Sequence, residues 1–383
     1  MDPWRRNAEA STDPERSGSA ALGRVHTGIT RGTSGGEMSA EDVRRRIVET
    51  PEGVGISVTE AGDPGTQPTV VLLHGFPDLS YTWRHQITAL AAAGYHVLAP
   101  DGRGFGRSDR PEDPDAYDID HLTADMLALL DDVGVERAVF VGHDWGALVI
   151  YALALMAPRR VAGTVGIGVP FLPRGTVPPT TMLRQFAGEQ WFMLLWVQDA
   201  GVAEADMERD VTLTIRRMYT GLRLEAIIGS QGPGEPRNLT DRLGDVEVLP
   251  EWLSHDDLGH YVAEYTRTGF TGGLNWFRNF DRNWVLTPQL AGARITVPTL
   301  YISGSVDPLL IACPPALMEG WLDDNRGTVI IDGGGHWVHQ QLPDPVNDAL
   351  LWFLSDVMPA DAGAPEAGAG SPVGAGDPTP ART

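Results

Sequence analysis

A chain of 383 residues, 42% hydrophobic and 21% charged, is long for one domain, short for three, and ordinary in make-up for a globular enzyme. Its formal net charge of −22 argues against nucleic acid and anionic membrane surfaces as partners. All 29 basic side chains are arginine, so Schiff-base catalysis and a P-loop lysine are excluded.

In chain order, residues 1–44 read as a disordered extension, rich in Arg, Ser, Thr and Gly and without the apolar stretch of a secretory signal. Strand-like runs follow at 54–59, 69–73, 96–99, 138–141 and 164–168, and again at 299–303 and 328–332. Several are near-continuous apolar runs, the pattern of central parallel strands covered on both faces. Helical patterns fall between them at 80–93, 119–133, 146–157 and 309–322, and a last one at 345–357 closes the domain. Such alternation predicts an α/β fold with a mostly parallel, doubly wound sheet, its core spanning 45–170 and 291–358. Residues 171–290 interrupt it with a Pro-rich linker and helical patterns, predicting a helical cap inserted after a central strand. The Ala/Gly/Pro-rich tail, 359–383, cannot build a core. Cys313 is the single cysteine, which forbids internal disulfides and makes the cytoplasm the default location. No apolar run reaches the ~18 residues of a membrane span.

The most informative stretch is Val139 to Ala147. It reads as a buried strand, a corner between Gly142 and Gly146, then a helix. Gly-x-nucleophile-x-Gly is the nucleophile elbow of α/β-hydrolases, which exposes one side chain above the sheet. That side chain is Asp144, a carboxylate already ionised at neutral pH. Carboxylates are poor at opening acyl groups but competent at displacing a leaving group from saturated carbon, so epoxides or alkyl halides are expected. The acid and the histidine of such a triad follow the nucleophile in the chain. Asp307 lies just past one strand, and His336 follows Gly333-Gly334-Gly335 past another. Asp144, Asp307 and His336 are the expected catalytic residues, with the backbone N–H groups of Phe76 and Trp145 as the expected oxyanion donors. A Phe76–Pro77 cis bond suits so tight a loop. The glycines of 102–106 read as a structural loop, not a dinucleotide site. No zinc spacing is present, His255 and His260 are expected to be solvated, and no metal or cofactor is expected.

With the triad in place, the sequence resembles the soluble-type epoxide hydrolases of the α/β-hydrolase superfamily. The resemblance rests on His74-Gly75-Phe76-Pro77, on Asp101 to Asp109, on Gly142-His143-Asp144-Trp145-Gly146-Ala147 and on Gly335-His336-Trp337. In the cap it rests on residues 201–206 and 269–279, so it covers about residues 45–357. It implies two cap tyrosines that donate hydrogen bonds to the leaving oxygen. Here those positions are Met193 and Phe277, and neither side chain can donate. Three readings remain. In the preferred one, the chain opens a small apolar or aromatic epoxide to a vicinal diol, with substitutes for the tyrosines among Trp191, Trp196, Tyr219, Tyr261 and Tyr265. In the second it is a hydrolytic haloalkane dehalogenase, since a halide leaves without a proton. The third is a non-hydrolytic tailoring or ligand-binding protein of the same fold. Homo-oligomerisation is left open.

Overall fold

The computed structural model describes residues 43–188, 192–224, 226 and 239–360. Eight strands among these residues form one sheet: β1 (Val43–Glu49), β2 (Gly55–Ala61), β3 (Thr69–Leu73), β4 (His96–Pro100), β5 (Ala138–His143), β6 (Val161–Ile167), β7 (Thr299–Gly304) and β8 (Asn325–Ile331). Their order is β1-β2-β4-β3-β5-β6-β7-β8. β1 and β2 pair antiparallel, as do β2 and β4, and from β4 to β8 every pairing is parallel.

The continuous apolar runs become β3 to β6, in which every residue is buried. Each strand feeds both faces, as its two-residue period requires. Val70, Leu72, Val139 and Val141 join one apolar core with Leu350 and Phe353, while Val71, Leu73 and Phe140 join the other with Val149 and Ile150. The crossover helices are α1 (Arg84–Ala92), α2 (Ile119–Asp132) and α3 (Trp145–Met156). Between β6 and β7 come α4 (Pro179–Ala187), α5 (Phe192–Trp196), α6 (Glu204–Met207), α7 (Val211–Gly221), α8 (Leu239–Arg242), α9 (His255–Thr268), α10 (Thr271–Arg278) and α11 (Phe280–Leu286). The chain then adds α12 (Pro308–Ala312), α13 (Val338–Gln341) and α14 (Pro343–Val357).

Two local expectations differ from what is seen. The helix expected over 309–322 stops at Ala312, because Pro314 and Pro315 cannot continue it; a separate 3₁₀ turn follows at Pro315–Met318. Strand β1 was hidden by its arginines. It begins at Val43, inside the stretch read as an extension, and pairs along its whole length with β2. Arg44 and Arg46 reach across to Glu60, whose side chain is buried and also bonds His96 at 2.9 Å. Residues 1–42 and 361–383 lie outside the described residues.

The loop after β4 joins the core to the inserted helices. Arg103 is buried, holds Asp125 of α2 through two bonds of 2.9 and 2.6 Å, and gives its carbonyl to the Trp276 indole of α10 at 3.0 Å. Removing one partner of a buried ion pair strands the other charge away from water, at a cost of about 3–5 kcal/mol. Asp125→Leu is therefore expected to lose that much stability, read as a lower urea midpoint; an unchanged midpoint would show that Arg103 finds another partner.

Candidate active site

The corner after β5 is built by close approach. A Cβ on Gly142 would lie 2.3 Å from the Gly146 carbonyl oxygen, and one on Gly146 would lie 2.1 Å from the Leu73 carbonyl oxygen. Only glycine lets these backbones meet. The turn forces Asp144 to φ 52° and ψ −118°, the one positive φ outside glycine among the described residues. Such strain persists only where the surroundings over-determine it, and it clusters at functional sites. On the facing loop the Phe76–Pro77 bond is cis. That loop is pinned from below: His74 accepts from Gly102 N–H at 2.9 Å and donates to the Gly75 carbonyl at 2.8 Å. In consequence the Phe76 N–H donates to Asp144 Oδ1 at 3.0 Å. Trp145, next to the corner, begins α3, where the first N–H groups have no helical acceptor.

β7 and β8 deliver the other two groups. Asp307 caps α12, accepting from Leu309 N–H at 2.9 Å, which fixes its carboxylate. His336 Nδ1 lies 3.2 Å from Asp307 Oδ2, and its Nε2 lies 3.6 Å from Asp144 Oδ2. One ring thus sits between two carboxylates, and burial alone would strip its proton. The Asp307 charge, with the hydrogen bond and charge of Asp144, outweighs burial and raises the His336 pKa to about 10. Burial likewise pushes Asp144 up, but His336 and the Phe76 N–H hold it below the ordinary carboxylate value. At neutral pH His336 is thus held as the imidazolium between the Asp144 and Asp307 side chains.

Aromatic rings wall the other side. Phe277 packs edge-on to Phe76, Trp145 and Trp196 at 5.3, 5.1 and 5.0 Å between ring centres, and Phe280 stacks on Trp145 at 5.0 Å. Trp196 also meets Phe76 at 5.4 Å, and its indole nitrogen is buried without a partner. Met193 is half-buried in the same apolar cluster. Trp191 lies outside the described residues. The tyrosines of the helices inserted between β6 and β7 are bonded elsewhere. Tyr219 donates to the Pro77 carbonyl and Asp78 Oδ1, both at 3.0 Å, Tyr265 to the Asp78 carbonyl at 3.2 Å, and Tyr261 to Gln340 at 3.3 Å. His255 is exposed as expected, whereas His260 is half-buried and lies 4.2 Å from the Tyr81 ring.

Sequence reasoning missed a buried group behind His336. His143 donates from Nε2 to the His336 carbonyl at 2.9 Å, so its Nδ1 is a bare lone pair. Asp78, His143 and His339 each place one ligand-type atom within 4.8 Å of the others, and His143 Nδ1, Asp78 Oδ2 and His339 Nδ1 are buried without hydrogen-bond partners. Burial pushes Asp78 up to about 7, and burial together with the His336 charge pushes His143 down to about 3. The three are the one set among the described residues with the ligand types and proximity to hold a metal. Two bonds of 2.0–2.1 Å at a tetrahedral angle would bring ligand atoms to roughly 3.4 Å. His143 Nδ1 and Asp78 Oδ2 stand 3.9 Å apart, so the set as arranged is a polar cage rather than a metal centre. The available sequence signal was position alone: Asp78 follows the Phe76-Pro77 turn and His143 precedes the nucleophile.

Comparison with known proteins identifies the family. Residues 68–341 match the family model described as the alpha/beta hydrolase fold. The chain is 51% identical over 314 residues to epoxide hydrolase A of Mycobacterium tuberculosis, covering 81% of this chain and 97% of that protein. It is 35% identical to epoxide hydrolase 1 of Siraitia grosvenorii, covering 82% and 99% of the two chains. The crystal structure of epoxide hydrolase A from Mycobacterium thermoresistibile superposes with a TM-score of 0.77 at 49% identity, covering 82% of this chain and 98% of that one. An aspartate at the glycine corner, a mostly parallel α/β sheet and these relatives lead to one conclusion: the chain belongs to the epoxide hydrolases of the α/β-hydrolase superfamily, hydrolases that act on ether bonds.

Proposed function

We propose that this protein converts an apolar or aromatic epoxide to a vicinal diol in two steps through a covalent ester on Asp144. The observation that carries the reading is the unequal treatment of the two Asp144 oxygens: Oδ1 accepts from the Phe76 N–H, while Oδ2 faces His336. Oδ2 is then the attacking atom. It forms a bond to an oxirane carbon as that carbon's bond to the ring oxygen breaks. Oδ1 becomes the ester carbonyl oxygen, already resting against a backbone donor. In the second step His336 takes a proton from water, and the hydroxide adds to the Asp144 carbonyl carbon. The resulting oxyanion forms on Oδ1, where the N–H groups of Phe76 and Trp145 receive it.

Esterification also switches the base on. Once Asp144 is an ester its negative charge is gone, and one of the two carboxylates that hold the proton on His336 no longer does so. The imidazole pKa falls and the ring becomes free to accept a proton, with Asp307 orienting it. The helices between β6 and β7 act as the cap, and the rings of Phe76, Trp145, Trp196, Phe277 and Phe280 favour an apolar or aromatic substrate. The relatives above favour an epoxide over an alkyl halide or a non-hydrolytic role. A cytoplasmic location is supported by the single cysteine. No helix among the described residues is long and apolar enough to cross a membrane.

Asp144→Asn is expected to lose at least roughly 10³-fold of the hydrolysis rate; retention of the rate would sink the covalent mechanism. His336→Gln, incubated with styrene oxide and examined by intact-mass spectrometry, should accumulate protein heavier by one whole epoxide. The wild-type enzyme should show a related pH effect. Acid keeps the imidazole of the ester state protonated and idle, so the steady-state fraction of ester should be larger at pH 5.5 than at pH 8. A fraction that rises with pH instead would remove His336 as the base.

A further inference from the structure

Opening an oxirane leaves an alkoxide, which needs a hydrogen-bond donor as it forms and a proton soon after. The tyrosine hydroxyls of the inserted helices that pack near the site, Tyr219, Tyr261 and Tyr265, donate to Pro77, Asp78 and Gln340 instead. Phe277 has no donor to offer. Among the described residues, Trp196 packs against these rings with a buried, unpaired donor: it is 3% exposed, lies edge-on to both Phe76 and Phe277, and its Nε1–H has no acceptor. A buried donor left unpaired is unusual enough to call for a reason. Resting on the two-step reading above, we propose that the Trp196 indole N–H binds the departing epoxide oxygen, and that His336, as the imidazolium between Asp144 and Asp307, gives that oxygen its proton.

The two groups divide the labour by acidity. An indole N–H stabilises an alkoxide but does not give its proton away. His336 Nε2 carries a proton and lies 3.6 Å from the attacking Asp144 Oδ2, beside the place where the reacting carbon must sit. The proton account then closes. The C–O bond of the oxirane breaks as the Asp144 Oδ2–C bond forms, and the Nε2 proton passes to the alkoxide, leaving a neutral imidazole. That imidazole takes a proton from water, and the hydroxide adds to the ester. Collapse of the tetrahedral intermediate breaks the Oδ1-bearing carbon's bond to the alkyl oxygen. The remaining proton of the attacking water passes from the new carboxyl group to that departing oxygen, which becomes the second hydroxyl, leaving a carboxylate and an imidazolium as at the start. One histidine serves as acid and then as base, and the retained raised pKa of His336 is in keeping with a proton being present for the first step.

The test separates the two steps. Wild type, Trp196→Phe, Trp196→Tyr and Trp337→Phe are each mixed in excess with styrene oxide, quenched in acid, and followed by intact mass for ester growth and decay. Trp337 is the contrast, since its nitrogen is also buried without a partner but its ring stacks on Tyr219 at 4.6 Å. Trp196→Phe should slow ester formation by 10²-fold or more while ester decay stays within threefold of wild type. Trp196→Tyr should recover part of the loss. Ester formation by wild type should fall between pH 8.5 and 10.5, and Asp307→Asn should move that fall to lower pH. Ester formation at wild-type speed in Trp196→Phe, equal slowing of both steps, or the larger loss in Trp337→Phe would overturn the role of Trp196. A rate level through pH 10.5 would overturn that of His336. His336→Gln, lacking both the acid and the base, should form ester slowly and then keep it; absence of ester in every variant after long incubation, His336→Gln included, would instead sink the two-step reading itself.

Discussion

Everything in this site depends on one buried imidazolium held between two carboxyl groups, that of Asp307 buried and that of Asp144 partly open. Asp144 and Asp307 come from opposite sides of His336, and neither carboxylate touches the other. Away from water, each charge is tolerable only because the next has the opposite sign. On the proposed mechanism the arrangement is responsive: with Asp144 esterified, the ring between the two groups changes from a proton holder to a proton acceptor. The rest of the core keeps these groups where that response is possible. The glycine corner raises Asp144 above β5, α12 takes Asp307 as its cap, and the His74–Gly102 bond fixes the loop that offers the Phe76 N–H.

The core of this plan is legible in sequence because it is local. Buried parallel strands show as unbroken apolar runs, and β3 at Thr69–Leu73 has the bounds expected from its run. Asp144, Asp307 and His336 are each flagged by a strand end followed by glycine or proline, and the structure brings the three together. What was hidden depends on partners far away in the chain. β1 carries Arg44, Arg45 and Arg46 and looks like solvated chain until Glu60 is opposite it. The fate of the cap tyrosines could not be read either. Tyr219, Tyr261 and Tyr265 are helical residues of the right type, but the direction of each hydroxyl is set by tertiary packing around Asp78.

The Asp78–His143–His339 group shows how much polar structure lies behind the reacting atoms. Burial pushes all three toward neutrality, and the charge on His336 adds to this for His143 and His339. His143 and His339 are therefore uncharged at neutral pH and add no positive charge beside His336. His143 also holds the His336 backbone through its carbonyl, so the polar group positions the ring without sharing its proton.

The glycine corner carries a consequence for how such proteins change over time. Gly142 and Gly146 supply the close contacts of the turn, and the residue between them contributes only its place and an outward-facing side chain. The strain at that position belongs to the backbone and is borne whichever side chain occupies it. Geometry and reactivity are thus written in different residues. A lineage can exchange a hydroxyl, a thiol or a carboxylate at one codon while inheriting the same presentation, so new bond-breaking chemistry is reached without rebuilding the scaffold.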